Sequence, residues 1–262
     1  MTPIILGKTP TLKIDFVSDV SCPWCAIGLF ALQQALQRLS PELTASLHFQ
    51  PFELNPGMAA GGQDITEHLT QKYGSTPAQQ ADSRERLRER GAAVGFVFNA
   101  EGRGRIYNTF DAHRLLHWAG EQHPQLQLAL KTALLLACHR DRQAMDEPEV
   151  LVAAAMAAGL DGTAARAVLQ SDRCADAVRE REALYTSAGI HSVPAVIVND
   201  QYLISGGQPA EVFEQSLRKI AASGTIALGY HESTPPFTFR TPDGRVMGYS
   251  YDYALKIADA VK

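Results

Sequence analysis

Two cysteines separated by two residues, in Ser21-Cys22-Pro23-Trp24-Cys25, lie where one periodicity gives way to another. An alternating apolar run, Leu12 to Val20, precedes them, and a run of helical period, Ala26 to Leu39, follows. That order reads as strand, two-cysteine turn, helix. A disulfide needs Cα atoms roughly 4.4–6.8 Å apart, and two cysteines one helical turn apart on one face can meet that. Cys22 falls at the helix entrance, where unpaired N–H groups and the positive dipole end favour a thiolate. Pro23 suits the first helical position, which needs no N–H partner. Cys25, one turn further in, is expected to be the more buried, resolving thiol. Trp24 could form an apolar lid over the sulfurs.

Two other readings of the pair stay open. It could be half of a zinc site, but Cys138 and Cys174 stand 36 positions apart and form no second C-x-x-C. It could also be two inert core cysteines. A later segment favours redox chemistry. Gly189-Ile190-His191-Ser192-Val193-Pro194 leads into Ala195-Val196-Ile197-Val198. Proline is tolerated at the first residue of a strand. A cis Val193–Pro194 bond would present the Val193 backbone as an open edge for an extended substrate segment. A trans proline opening an ordinary strand is the alternative. His191, three residues ahead of Pro194, is placed to tune thiolate charge or to face solvent.

The chain to about residue 223 resembles the DsbA family of thioredoxin-fold disulfide oxidoreductases, in its FrnE-like branch. The resemblance rests on Asp19-Val20-Ser21-Cys22-Pro23-Trp24-Cys25 and Asn108-Thr109-Phe110-Asp111-Ala112-His113-Arg114-Leu115-Leu116. It continues through Ala188-Gly189-Ile190, Val193-Pro194-Ala195 and Ile204-Ser205-Gly206-Gly207-Gln208-Pro209. It implies Cys22 as nucleophile, Cys25 as its partner and Pro194 as a cis proline. Pro23, Trp24, Val193 and His191 are the candidate substrate contacts. Cys138-His139-Arg140-Asp141-Arg142 departs from the family pattern, so the local surface is expected to differ there.

The pattern along the chain fits an α/β thioredoxin-like fold, βαβ then ββα, interrupted by a large all-helical insertion. Residues 10–62 and 189–223 supply the thioredoxin-like part, and residues 63–188 the insertion. Strands are expected over Thr11–Val20 and Ser46–Phe52, with a helix over Cys22–Leu39 stopped by Ser40-Pro41. In the insertion, Asp64 with Glu67 and Thr76-Pro77 with Gln79 read as capping boxes. Arg84 to Arg90 alternates in sign and reads as a solvated helix face. Gly91 to Tyr107 is expected to be loop with a short helix. Further helices are expected from Asn108 to Trp118, Gln125 to Cys138, Glu147 to Ala158, Thr163 to Leu169 and Ser171 to Ser187. Ala195–Val198 and Tyr202–Ser205 form a hairpin across Asn199-Asp200, and Pro209–Ala222 a closing helix.

Residues 224–262 stand outside this plan as a short appendage. They read as a strand at Ile226–Tyr230, a hairpin from Phe237 to Tyr249 turning at Asp243-Gly244, and a helix from Ser250 to Val261. Gly229-Tyr230-His231-Glu232-Ser233, Pro236-Phe237-Thr238-Phe239 and Gly248-Tyr249-Ser250-Tyr251-Asp252-Tyr253 resemble the opening of periplasmic glutamate/aspartate-binding proteins. Such a protein needs two lobes, so a fusion or truncation without transport function is expected.

Composition narrows the function class. A net charge of −4 offers no basic field for nucleic acid or anionic lipid. No apolar run approaches the length of a membrane span. Met1 to Pro10 lacks the apolar core of a secretory signal, which points to the cytoplasm. His113 and His117 share the i,i+4 spacing of a helical metal pair. Taken as lacking a nearby acidic third ligand, they read as structural. Cys138 and Cys174 read as structural, with a second redox pair as the alternative. No metal or organic cofactor is needed, and glutathione or a thioredoxin system would recycle the pair. The partners expected are thiol- or disulfide-containing proteins, or glutathione. A glutathione-dependent isomerase or transferase, like 2-hydroxychromene-2-carboxylate isomerase, is the second reading, although such relatives typically carry serine where this chain has Cys22. A non-enzymatic amino-acid- or protein-binding module is the third.

Overall fold

The computed structural model describes residues 11–223 and, beyond them, the backbone of three short strands. Strand β1 (Thr11–Ser18) buries Leu12, Ile14 and Phe16 on alternate positions, as its sequence period requires. Helix α1 (Pro23–Leu39) carries the chain across to β2 (Thr44–Pro51). β2 pairs parallel with β1, from Thr11 opposite Thr44 to Ser18 opposite Pro51. Much later, β5 (Ala195–Val198) pairs antiparallel with β1, and β6 (Tyr202–Ser205) pairs antiparallel with β5. The resulting order is β2-β1-β5-β6. Asn199 and Asp200, at the β5–β6 turn, both adopt left-handed backbone with φ of 53° and 56°, which Asn and Asp tolerate better than most residues. Closing helix α9 (Ala210–Ser223) packs on α1, where Phe213, Leu217 and Ile220 join Ala26, Leu29 and Leu32 in one buried cluster.

Between β2 and β5 lies the insertion. It contains α2 (Ile65–Tyr73), α3 (Pro77–Ala93), α4 (Phe110–Gln122), α5 (Pro124–His139), α6 (Pro148–Ala157), α7 (Gly162–Leu169) and α8 (Ala175–Ser187). Leu115, Leu116, Trp118, Leu130, Leu134, Leu151 and Val168 build its own apolar core, which also takes in Val20 from beside the cysteine turn. The thioredoxin-like core and the insertion core therefore meet at that turn.

The insertion departs from an all-helical expectation at one place. Gln63–Asp64 (β3) and Arg105–Ile106 (β4) form a two-residue antiparallel ladder, too short to leave a period in sequence. No short helix forms in the segment after Gly91; instead α3 runs through Gly91 to Ala93. The glycine there makes room: a Cβ would stand 2.6 Å from the Phe98 ring. Thr76 and Gln79 form the expected capping box, whereas Asp64 caps α2 by accepting from Thr66 and Glu67 N–H. α8 begins at Ala175, not Ser171. The Arg114 guanidinium holds the carbonyls of Val168, Ser171 and Arg173 outside the helix, and Cys174 takes a left-handed φ of 65°.

In the tail, β8 (Thr238–Arg240) and β9 (Val246–Met247) pair antiparallel, as the expected hairpin has them, and β7 (Ser233–Thr234) pairs with β8; the turn expected at Asp243-Gly244 lies outside the described residues. The strand expected at 226–230 and the helix at 250–261 lie outside the described residues. Among the described residues, no helix is long and apolar enough to cross a membrane.

Candidate active site

Cys22 is the N-cap of α1, with Pro23 at the first helical position and extended backbone at Cys22 itself. Its side chain makes no capping hydrogen bond, so the sulfur stands beside free N–H groups of the first turn without closing them. The Cys22 thiol also reaches across to donate to the Val193 carbonyl at 3.6 Å. The Val193–Pro194 peptide is cis. Pro194 packs close over α1 at Gly28, where an added Cβ would stand 3.0 Å from the proline ring. Gly207, on the loop after β6, approaches the Trp24 carbonyl just as closely, since a Cβ there would come within 2.8 Å of it. Small residues at 28 and 207 thus let two loops press against the start of the helix.

The two sulfurs are placed unequally. Cys25 is 0% exposed, and Cys22 is nearly buried. Both are free thiols. The Cys25 thiol donates to Cys22 and is the main cause of a lowered Cys22 pKa; burial and the Asp19 charge oppose it, and the Cys25 and Trp24 N–H groups assist. Cys25 is pushed well above the ordinary thiol range by burial first, then by its bond to Cys22. The outer thiol is the acidic one and the inner thiol holds its proton, the asymmetry that thiol–disulfide exchange requires.

Sequence reasoning missed what lies beneath. Asp19 is buried and accepts from the N–H groups of Ser21 at 2.9 Å and Leu54 at 2.8 Å, and from the Thr109 hydroxyl at 2.9 Å. His113 stands 3.7 Å away, so it pairs with Asp19 and not with His117. Burial alone would raise the Asp19 carboxyl, but His113 and the two N–H donors outweigh it and hold the pKa at about 2. Lys131, on α5, is 0% exposed, and its Nζ makes no hydrogen bond to any described residue. Burial lowers its pKa, while the neighbouring Cys25, Asp19, Cys22 and Cys138 act to raise it. An unpaired buried ammonium is costly, which makes this lysine the unusual group of the site.

Arg103 donates to the Ser21 carbonyl at 2.6 Å and lies 3.7 Å from the Cys138 sulfur. The His139 Nε2 lies 2.9 Å from the Val20 carbonyl, and burial drives that imidazole well below its usual pKa. Cys138 and His139 therefore brace the back of the cysteine turn, and the surface difference expected at this segment falls to Arg140, Asp141 and Arg142, which are exposed. A lysine in an apolar helix and a carboxylate three residues ahead of Cys22 were the available signals, but neither identifies its partners without the fold.

Of the sequence candidates, Cys22, Cys25, Pro23, Val193 and Pro194 converge. Trp24 is 40% exposed, with the Arg90 guanidinium 5.8 Å from its ring. At 40% exposure it forms part of the rim beside two buried sulfurs. Tyr73, also exposed, stands on the same side, its phenol raised by burial and then by the Cys22 charge. His191 is exposed on the loop leading into the cis proline.

A profile of the DSBA-like thioredoxin domain matches residues 13–218. A probable DsbA oxidoreductase from Streptomyces coelicolor has a similar structure, with a TM-score of 0.75 and 33% identity, covering 89% of this chain and 97% of that one. An uncharacterised Bacillus subtilis protein, YwbO, is 25% identical over 210 residues, 79% of this chain and 96% of its own. A cytosolic disulfide reductase of Pseudomonas aeruginosa, solved with glutathione, shares the fold at 14% identity and a TM-score of 0.54, covering 79% of this chain and 98% of that one. The resemblance to solute-binding proteins is short: an L-glutamate/L-aspartate-binding protein of Pseudomonas aeruginosa is 39% identical over 61 residues, 23% of this chain and 20% of that protein.

Proposed function

The chain belongs to the DSBA-like thioredoxin domain family, and from that membership we propose that it is a thiol–disulfide oxidoreductase acting through Cys22 and Cys25. The observation that carries the reading is the unequal pair: an acidified Cys22 thiol at the helix entrance, against the Val193 carbonyl, with a fully buried Cys25 behind it.

In the reducing direction, the Cys22 thiolate attacks a substrate disulfide. A mixed disulfide forms, and the first substrate sulfur leaves as a thiolate and takes up a proton. Cys25 then attacks the Cys22 sulfur, closing the internal disulfide and releasing the second substrate thiolate. Two electrons pass from the cysteine pair to the substrate, and two molecules of a small thiol such as glutathione return them, leaving as their disulfide. In the oxidising direction the same steps reverse. Cys25 must lose its proton to attack, in a place sealed from bulk water. In this reading Lys131, a buried amine whose pKa burial lowers and whose charge is felt at Cys25, takes up that proton. After the ring closes, the ammonium passes the proton to the departing substrate sulfur.

Glutathione and protein thiols share the sulfur chemistry this site handles, and the fold likeness to a glutathione-bound cytosolic reductase supports glutathione as the recycling thiol in the cytoplasm. The direct test is an equilibrium titration of the pair in a glutathione buffer, alongside Cys25→Ser. A single internal disulfide that titrates reversibly, and a mixed disulfide that accumulates in Cys25→Ser, are the expected results. If mass spectrometry finds neither the internal bridge nor the trapped adduct, the reading is wrong.

A further inference from the structure

A second cluster of ligating side chains lies on the far part of the insertion, and the redox reading leaves it without a role. α4 presents His117 and Glu121 one turn apart, with Nε2 and Oε1 3.3 Å from each other. Cys174, the residue before α8, comes up beside them, and the three donor atoms lie within 4.8 Å of one another. We propose that His117, Glu121 and Cys174 bind a zinc ion.

Four observations support this. First, the separation suits a shared metal. Zn–N and Zn–O arms of about 2.0–2.1 Å make a tetrahedral edge of roughly 3.3–3.4 Å, close to the distance found between imidazole and carboxylate. Second, the His117 Nε2 is buried and makes no hydrogen bond to a described residue, although a carboxylate is near. Third, the donor set is nitrogen, sulfur and oxygen, the mixture that zinc accepts. A Glu carboxylate and a Cys thiolate together balance two positive charges. Fourth, the approach of Cys174 is built from the same helix. Arg114, one turn before His117 and almost buried, bonds Asp111 and the carbonyls of Val168, Ser171 and Arg173, tying the loop that ends at Cys174 onto α4. Those bonds engage the Arg114 guanidinium. Burial and then the Glu121 charge raise the Cys174 thiol, and the nearby Arg173 and Arg114 only partly offset them.

The acidic partner of His117 is Glu121, one turn further along the same helix, and the other histidine of the pair, His113, meets Asp19 instead. Glu121 is exposed, so a solvent molecule is available to complete the coordination. Binding converts Zn²⁺ and the Cys174 thiol to a zinc thiolate and releases one proton to buffer, with no change of oxidation state. Its effect is to pin the start of α8 to α4.

The test uses the full chain carrying Cys22→Ser and Cys25→Ser, so that the active thiols cannot take the metal. Zinc chloride is titrated by calorimetry in two buffers of different ionisation enthalpy, and cobalt(II) is added as a spectroscopic probe. One zinc per chain, release of about one proton and a thiolate-to-cobalt charge-transfer band are expected. Adding His117→Gln, Glu121→Gln or Cys174→Ser should weaken zinc at least ~10-fold, and Cys174→Ser should abolish the charge-transfer band. No stoichiometric binding, or equal affinity in all three variants, would overturn the site. Glu121 lies on an exposed helix face, so its variant reports on binding even if another substitution disturbs the fold. Either result leaves the Cys22–Cys25 chemistry untouched.

Discussion

At the scale of single residues, the chemistry of the cysteine turn is set by three buried groups of different charge. Cys25 needs a proton acceptor that water cannot easily provide, and Lys131 is the buried amine beside it. Replacing Lys131 with Met keeps the length and removes the buried amine. The ring-closing step is then expected to slow ~10-fold or more, as loss of a general base does. Unfolding stability should stay level or rise, because an unsatisfied buried polar group costs about 1–3 kcal/mol. Stopped-flow quenching of a mixed disulfide, with a urea titration of the same variant, measures both; a slower reaction with a large stability loss would assign Lys131 to the scaffold alone. Asp19 gives a prediction in pH. Its folded pKa of about 2 lies below the ordinary carboxylate value of 3.8. Its contribution is thus fully present above pH 4 and is lost as pH falls toward 2. By linkage, a shift of this size is worth about 2 kcal/mol. Urea midpoints measured from pH 5 to pH 2 should fall more steeply in the wild type than in Asp19→Asn. Parallel slopes would show that the carboxylate is not held ionised.

At the scale of elements, two close approaches decide whether α1 meets the cis-proline loop. Gly28 and Gly207 leave no room for a Cβ against the Pro194 ring and the Trp24 carbonyl. Gly28→Val, a branched residue inside a well-packed helix, should cost roughly 1–3 kcal/mol by overpacking. It should also move the Val193 carbonyl off Cys22 and lower the Cys22 pKa, because a thiol that no longer donates to a carbonyl loses its proton more easily. A thiol-alkylation pH profile checks that shift, and an unchanged profile would mean that the loop does not hold the sulfur. The caps offer a control far from the site. Thr76 and Gln79 close the N-terminus of α3 with reciprocal bonds, so Thr76→Ala should lose about 0.5–2 kcal/mol in thermal or urea unfolding without changing Cys22. Helix α8 shows how an element's start can escape its sequence. Ser171 to Arg173 carry no helix breaker, yet Arg114 claims carbonyls there, and the helix waits until Ala175.

At the scale of the whole molecule, the thioredoxin-like sheet and the helical insertion carry separate cores that meet behind the cysteine turn. Val20 packs into one and Cys22 into the other. Residues 233–247 add a small three-stranded sheet of their own. Because the solute-binding likeness spans only 20% of the relative, calorimetric titration with glutamate or aspartate should give no heat of binding. A saturable heat would give the tail a function. The strands, the major helices and the cysteine turn were legible because each is a local pattern: period two, period 3.6, a cap, a C-x-x-C. Cys22, Cys25 and the segment around Pro194 could be named from motif order, since their chemistry is carried by their own atoms and neighbours in the chain. The charges beneath the turn could not. Lys131 lies 106 positions from Cys25 and Arg103 lies 82 from Ser21. His113 and His117 look equivalent in spacing, yet one meets Asp19 and the other Glu121 and Cys174. Local propensity fixes which face a side chain occupies. What stands opposite that face, and therefore its charge and its partner, is fixed only when distant segments pack together and exclude water.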